Sequence, residues 1–119
     1  MSVASEWIEY TRNDIDMARR ALAPNPLPGA AAFHVQQAAE KAAKALIYAR
    51  GERAARTHDL QQLSLALPDG SQRDEVAALD RVTGWAVVGR YPLGDEELPT
   101  EEVVREWLAK VATFVKQAQ

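Results

Sequence analysis

Five polar side chains stand at helical spacing in the first half of the sequence, and together they could bind an anion. They recur at intervals of three and four residues, and they are His34, Gln37, Lys41, Lys44 and Tyr48. Side chains at these intervals lie on one face of an α-helix, so amide and hydroxyl groups would stand beside two ammonium groups. The column predicts either a phosphate-binding face or an ordinary solvated face whose lysine stems lie over apolar neighbours.

The segment after this column adds further cations and the second histidine. Two arginines precede the tripeptide Thr57-His58-Asp59, and another follows much later in the chain. At a helix start, Thr57 would act as the N-cap and Asp59 would lie in the positive first turn, which is the structural alternative for this tripeptide. The functional hypothesis is a cluster that receives a nucleotide or RNA phosphate, and its members are Lys41, Lys44, Arg53, Arg56, His58 and Arg90.

The composition argues against several other chemistries. There are no cysteines, which excludes disulfides, thiol catalysis and thiolate metal sites. His34 and His58 are the only histidines, and no His-Glu-x-x-His pattern accompanies them, so we expect neither a metal nor a cofactor. The sequence also lacks the Gly-x-Ser-x-Gly elbow of hydrolases and the Gly-x-x-x-x-Gly-Lys loop that cradles phosphates.

Helices must position these residues, because apolar side chains recur with a helical period. The first predicted helix covers residues 3–22 and carries a favourable pair between Asp16 and Arg20. The proline-rich residues 23–29 cannot continue it and form a rigid elbow. A second helix is predicted over residues 30–50, where Gly51 provides a natural stop.

The second half of the chain predicts three more helices. A short one covers residues 58–67 and is ended by the Pro-Asp-Gly-Ser run, and a fourth covers residues 72–88. The end of the fourth, which contains Gly84 and the run WAVV, would also suit a strand. Thr100 caps a last helix with a broad apolar face. The sequence therefore predicts a single all-α domain over residues 1–119, an up-and-down bundle of four long helices and one short one.

Charge and hydropathy limit the classes of partner. The net charge of −3 and the pI near 5.4 argue against a protein that coats nucleic acid by charge alone, so only a local basic patch could bind it. No segment approaches the roughly 20 apolar residues that span a bilayer. The first residues have neither a basic start nor an apolar run, so we expect a cytoplasmic protein without membrane contact.

The order of several short segments resembles that of a known family. The segments are Trp7 with Asp14-Ile15, the run QQAAEKAAKAL over residues 36–46, His58-Asp59 followed by Leu60 and Leu63, and Arg90-Tyr91-Pro92. Through this series, nearly the whole chain resembles the HEPN family, which is named for higher eukaryote and prokaryote nucleotide-binding domains.

The resemblance implies a helical bundle with protein partners. Members of this family are often dimeric, are frequently encoded beside a minimal nucleotidyltransferase as a toxin and antitoxin pair, and include metal-independent ribonucleases. The implied partners are therefore a second copy of the chain and a minimal nucleotidyltransferase. The alanine-rich second helix and the apolar faces also favour a homodimer, unless these residues all fill one internal core.

The ribonuclease members carry an arginine followed after four to six residues by a histidine on a late helix. No histidine follows Arg81 or Arg90, so the expected catalytic pair is missing. Arg53 and His58 satisfy the spacing, although in the connection before the third helix, and they leave a ribonuclease toxin with an altered motif as the alternative. We therefore predict a non-catalytic binding module that acts with a nucleotidyltransferase partner.

Overall fold

α-Helices make up the regular structure of the computed structural model, which describes residues 2–81 and 99–119. No residue of these two ranges lies in a β-strand, which confirms the predicted all-α bundle. No helix in this part of the chain is long and apolar enough to cross a membrane. The helices are α1 (Val3–Leu22), α2 (Pro28–Ala49), α3 (Leu60–Leu65), α4 (Ser71–Ala78) and α5 (Glu101–Ala118).

Helix α2 lies at the centre of the bundle. Helices α1, α3 and α5 all pack against it. The short connection over residues 23–27 leaves no room for the chain to return, so α1 and α2 lie antiparallel to one another. Since α2 is covered from several sides, its alanines are inside the protein, where their small side chains let the neighbouring helices approach closely.

The alanine stripe of α2 is therefore not a surface on which a second copy could pack. Ala31, Ala38, Ala42 and Ala45 are all buried within one chain. Phe114 and Val115 of α5 are buried as well. These residues belong to the internal core, which was the alternative to a dimer surface, because a central helix needs small side chains on every face that meets a neighbour.

Helices α1 and α5 match their sequence patterns closely. Helix α1 has the predicted bounds, and Arg20 forms the predicted ion pair with Asp16 at 2.9 Å. Thr100 is the N-cap of α5, where its side chain accepts a hydrogen bond from the backbone N–H of Val103 at 3.2 Å. Both helices bury an apolar stripe, as their 3.6-residue periodicity predicts.

Helix α2 begins two residues before its predicted start. Leu27 is the N-cap, and Pro28 occupies the first turn, where the missing proline N–H costs no helical hydrogen bond. The helix ends in a Schellman motif around Gly51, whose φ is 81°. The N–H of Gly51 donates to the carbonyl of Tyr48, and the N–H of Glu52 donates to the carbonyl of Ile47.

Helix α3 is shorter than predicted, and its cap is Asp59 instead of Thr57. The Asp59 carboxylate accepts hydrogen bonds from the backbone N–H groups of Gln61, at 2.9 Å, and Gln62, at 3.4 Å. The Thr57 hydroxyl accepts from the N–H of Asp59 at 3.1 Å and so shapes the turn before the helix. A carboxylate two residues further along reaches the free N–H groups that Thr57 cannot reach.

The predicted fourth helix is interrupted at Leu79. Helix α4 ends at Ala78, the N–H of Leu79 donates to the carbonyl of Val76 at 3.1 Å, and residues 80 and 81 are helical again. The side chain of Gln61 donates to the carbonyl of Ala77 at 3.1 Å, so a side chain of α3 supplies a donor to one of the last carbonyls of α4. Gly84 and the run WAVV lie outside the described residues.

Candidate functional site

A cleft of about 450 Å³ opens where α1, α2 and the connection after α2 meet. Helix α1 contributes Trp7, and the last turns of α2 contribute Lys44 and Tyr48. The Schellman motif turns the chain back over these helices, so residues 53–58 form the remaining wall. Ala54 is buried and anchors that wall on the core, while its neighbours Arg53 and Ala55 are exposed.

The walls of this cleft are cationic. Lys44, Arg53 and Arg56 bring three permanent charges, and His58 can add a fourth. No aspartate or glutamate side chain is among the described residues that line it. On a chain whose net charge is −3, such a concentration of one sign creates a local positive field that attracts anions.

Aromatic rings flank the cations of the cleft. The Lys44 ammonium lies 5.0 Å from the centroid of the Trp7 ring, within the range of a cation–π contact. Tyr10 packs edge-on against the same indole, with ring centroids 5.8 Å apart. Lys44 is thereby held at the cleft without neutralising its charge, and Tyr48 is half-buried beside it.

The structure brings together four of the six residues of the predicted ligand-binding cluster. Lys44, Arg53, Arg56 and His58 line the same cleft. Lys41 does not line it, because its ammonium lies 2.5 Å from a carboxylate oxygen of Asp14 on α1. Arg90 lies outside the described residues. The cleft also contains Trp7, which is half-buried and packs against the core as well.

Asp14 connects α1 to the polar column of α2. It pairs with Lys41, and its other oxygen lies 3.5 Å from Nδ1 of His34. That separation is too long for a strong hydrogen bond, and Nδ1 of His34 is buried without a hydrogen-bond partner among the described residues. The column is therefore neither a fully solvated face nor one continuous anion site, because its first part packs against α1 and only its end reaches the cleft.

The buried carboxylate of Glu40 contacts the imidazole of His58, the histidine of the cleft. Glu40 on α2 is only 3% exposed, whereas the side chain of His58 is 86% exposed. Oε2 of Glu40 lies 2.9 Å from Nδ1 of His58, and Oε1 accepts a hydrogen bond from the side chain of Gln36. This contact joins positions 18 residues apart and fixes the orientation of the imidazole.

Sequence reasoning missed Glu40. Gln36 and Glu40 stand four residues apart among alanines that are all buried, and a polar pair at that spacing on a packed face must find its partners within the protein. That pattern is the signal that could have identified the residue. Its partner His58 lies in another part of the chain, so the pair itself could not be read from local spacing.

A larger and shallower groove of about 1300 Å³ adjoins the cationic cleft, and the two share Tyr48 and Arg53. It runs past the start of α1 and the end of α5 and contains acidic Glu9 and Glu52 as well as Arg12. Since its charges are mixed, it has no preference for anions comparable to that of the cleft. Within the two described ranges, no three His, Asp or Glu side chains are placed to hold a metal ion.

The sequence model of the HEPN domain matches residues 4–119. The chain belongs to the HEPN domain family. Its fold is also that of a solved HEPN homologue, and the cationic cleft is thus a feature of a HEPN domain. No curated protein matches the sequence.

Two crystal structures are similar to this HEPN domain over almost the full chain. One is TT1696 from Thermus thermophilus, with a TM-score of 0.74 and 30% identity over 100% of both chains. The other is ST0689, an archaeal HEPN homologue, with a TM-score of 0.70 and 25% identity over 99% of this chain and 96% of that one. Both similarities extend through the helices that form the cleft.

Proposed function

We propose that this HEPN domain is a non-catalytic binding module whose cationic cleft receives a phosphate group of a nucleotide or of RNA. The observation that carries the proposal is the cleft itself, which gathers Lys44, Arg53, Arg56 and His58 without a carboxylate among its described lining. Guanidinium and ammonium groups are the usual protein ligands of phosphate, and guanidinium groups donate to it in pairs.

The aromatic residues favour a nucleotide phosphate over a bare anion. Trp7 and Tyr48 line the same cleft as the cations, and a base can stack on an aromatic ring while its phosphate meets the charges. An ordinary solvated face is the competing interpretation of the cations. It does not account for their convergence from α2 and from the following connection on one concave surface.

A binding measurement with two competitors tests the proposal. We expect the fluorescence anisotropy of a fluorescein-labelled single-stranded RNA oligonucleotide to rise when the unmodified protein is added at low salt. ATP should displace it at lower concentration than inorganic triphosphate, which carries a phosphate chain of the same length without a base, if the aromatic rings contribute. Displacement by triphosphate and ATP at equal concentrations would limit the site to an anion site. No binding of RNA, and no binding of ATP up to millimolar concentration, would assign the cations to a solvated face.

A metal-independent ribonuclease remains the second candidate, and one contact favours it. Arg53 and His58 both line the cleft, and Glu40 holds Nδ1 of His58 so that Nε2 is the nitrogen left for a ligand. A carboxylate that orients a histidine in this way is a recurrent arrangement in general-base catalysis. Cleavage of the same RNA in the presence of EDTA, lost in His58→Ala, would establish this candidate. Intact RNA supports the binding module.

The proposal includes a homodimer when no other partner is present. Val3, Tyr10 and Met17 are exposed large hydrophobic residues of α1, and they recur every seven residues along one side of the helix. Such a row is suited to packing against the same row of a second copy. Sedimentation at micromolar concentration should therefore report about twice the 13.1 kDa of the chain. A Tyr10→Glu, Met17→Glu variant should sediment as a monomer, and a monomeric unmodified protein would contradict this part of the proposal.

The remaining part of the proposal is a minimal nucleotidyltransferase partner, in a toxin and antitoxin or nucleotide-binding system of the cytoplasm. It is supported by membership of the HEPN family, whose members are frequently encoded beside a minimal nucleotidyltransferase. Coexpression with the product of the adjacent reading frame is the direct test. A stable complex that survives gel filtration supports the pairing, and separate elution of the two proteins would contradict it.

A further inference from the structure

We propose that Glu40 is a positioning residue that makes His58 a phosphate ligand only when the imidazole is protonated. This inference rests on the proposed phosphate-binding function of the cleft, which it extends to the role of a residue outside the lining. Glu40 itself does not line the cleft and acts through the ring of His58.

The position of Glu40 leaves its carboxylate dependent on its two hydrogen bonds. Leaving a buried carboxylate unpaired is unfavourable, so its oxygens must receive donors from the protein. Gln36 donates to Oε1, and the amide of Gln36 is in turn oriented by Gln37, whose side chain donates to its oxygen at 2.8 Å. Oε2 faces Nδ1 of His58, and a carboxylate oxygen only accepts hydrogen bonds when it is ionised. Nδ1 of His58 must therefore carry the proton of this bond.

The consequence for a ligand follows from the two nitrogens of imidazole. When the ring is neutral, a proton on Nδ1 leaves Nε2 as an acceptor, which faces a phosphate oxygen unfavourably. When the ring is protonated, Nε2 also carries a proton and donates a charge-assisted hydrogen bond to the phosphate. Glu40 thus removes the neutral tautomer that could donate from Nε2, and His58 contributes to phosphate binding only as a cation.

The other charged groups near His58 either attract a phosphate, as the protonated ring does, or lie outside the cleft. Lys44 on α2 and Arg56 in the connection share the cleft with the ring and attract the same phosphate. Asp59 is the next residue, but its carboxylate caps α3 and does not line the cleft. Arg53 completes the cationic wall. Glu40 is thus the carboxylate that directly contacts the His58 ring among the described residues.

The substitution Glu40→Gln tests this role directly. It should move the proton of the neutral His58 ring from Nδ1 to Nε2, instead of merely removing the hydrogen bond to Nδ1. Gln36 donates to the oxygen at Oε1, so the new amide should place its oxygen there and its NH₂ group towards Nδ1 of His58. Nδ1 would then accept, and the neutral ring would carry its proton on Nε2. The variant keeps the size of the side chain, removes its negative charge and gives it an NH₂ donor.

Nitrogen-15 NMR of the imidazoles measures this exchange in the free protein. The chain has only two histidines, and His58→Ala assigns the signals. At a pH where the ring is neutral, we expect His58 of the unmodified protein to be protonated on Nδ1 and that of Glu40→Gln on Nε2. Protonation on Nε2 in the unmodified protein would overturn the inference, whether or not the cleft binds RNA.

RNA affinity measured at constant salt with the His58 ring protonated and with it neutral, as reported by the same nitrogen-15 signals, tests the functional half. The affinity of the unmodified protein should fall roughly 10-fold when the ring becomes neutral, as expected for the loss of one charge-assisted hydrogen bond. The Glu40→Gln variant should lose only about 3-fold or less, and Glu40→Gln should change nothing further in a His58→Ala background. An equal effect of Glu40→Gln in that background would assign Glu40 a purely structural role. Absence of RNA binding by the unmodified protein would instead contradict the proposed function.

Discussion

Replacement of Leu63 by alanine should lower the free energy of unfolding by about 3 kcal/mol, the cost typical of truncating a buried leucine and leaving a cavity. Leu63 is 1% exposed and belongs to the core cluster. It lies on the short helix α3, which packs against α2 and α4. Since small domains have only about 5–15 kcal/mol of stability, the substitution should remove a large share of it. Guanidinium denaturation followed by circular dichroism measures the change.

Leu65→Ala is the matched control for this prediction. Leu65 lies on the same helix two residues later and is 67% exposed, so the same chemical change should alter the stability by less than about 0.5 kcal/mol. Similar losses in the two variants would show that α3 does not present Leu63 to the core.

Removal of the three permanent cations of the cleft should weaken RNA binding by roughly 100-fold or more, because each charge-assisted contact contributes about 1 kcal/mol or more. The variant combines Lys44→Ala, Arg53→Ala and Arg56→Ala. It should also flatten the dependence of log affinity on log salt by about two units, as expected when roughly three phosphate contacts to a single strand are lost. Anisotropy titrations at several salt concentrations measure both effects.

A second triple variant separates local recognition from overall charge. Arg19→Ala, Lys110→Ala and Lys116→Ala remove the same amount of charge from exposed positions outside the cleft. We expect this control to lose only a few-fold in affinity through long-range electrostatics, which salt screens. Equal losses in the two triple variants would mean that RNA responds to the net charge of the protein and does not recognise the cleft.

The bounds of α1 and the start of α5 were predicted accurately because their signals are local. Helix α1 has its bounds as predicted, and Thr100 caps α5, because caps and apolar periodicity are encoded within a few neighbouring residues. The break at Leu79 was not predictable in that way. Leucine is a good helix former, and the side-chain donor at the end of α4 comes from Gln61, sixteen residues earlier.

The candidate site was predictable in its cations but not in its supporting contacts. Lys44, Arg53, Arg56 and His58 are near one another in sequence, so a glycine stop after α2 was enough to suggest that they meet. The separation of Lys41 from this group depends on Asp14, which is 27 positions away. Tertiary packing decides which polar residues of a central helix pair with neighbouring helices, and helical spacing alone carries no such information.

The central claim is that a phosphate of a nucleotide or RNA binds in the cationic cleft, and an NMR titration tests it most directly. Backbone amide signals of the nitrogen-15-labelled protein would be followed while unlabelled single-stranded RNA is added at low salt. The account predicts that the largest shifts occur at Lys44, Tyr48 and residues 53–58, together with the indole N–H of Trp7. Shifts confined to other surfaces, such as the exposed side of α5 around Lys110, would contradict it, as would a spectrum that RNA leaves unchanged.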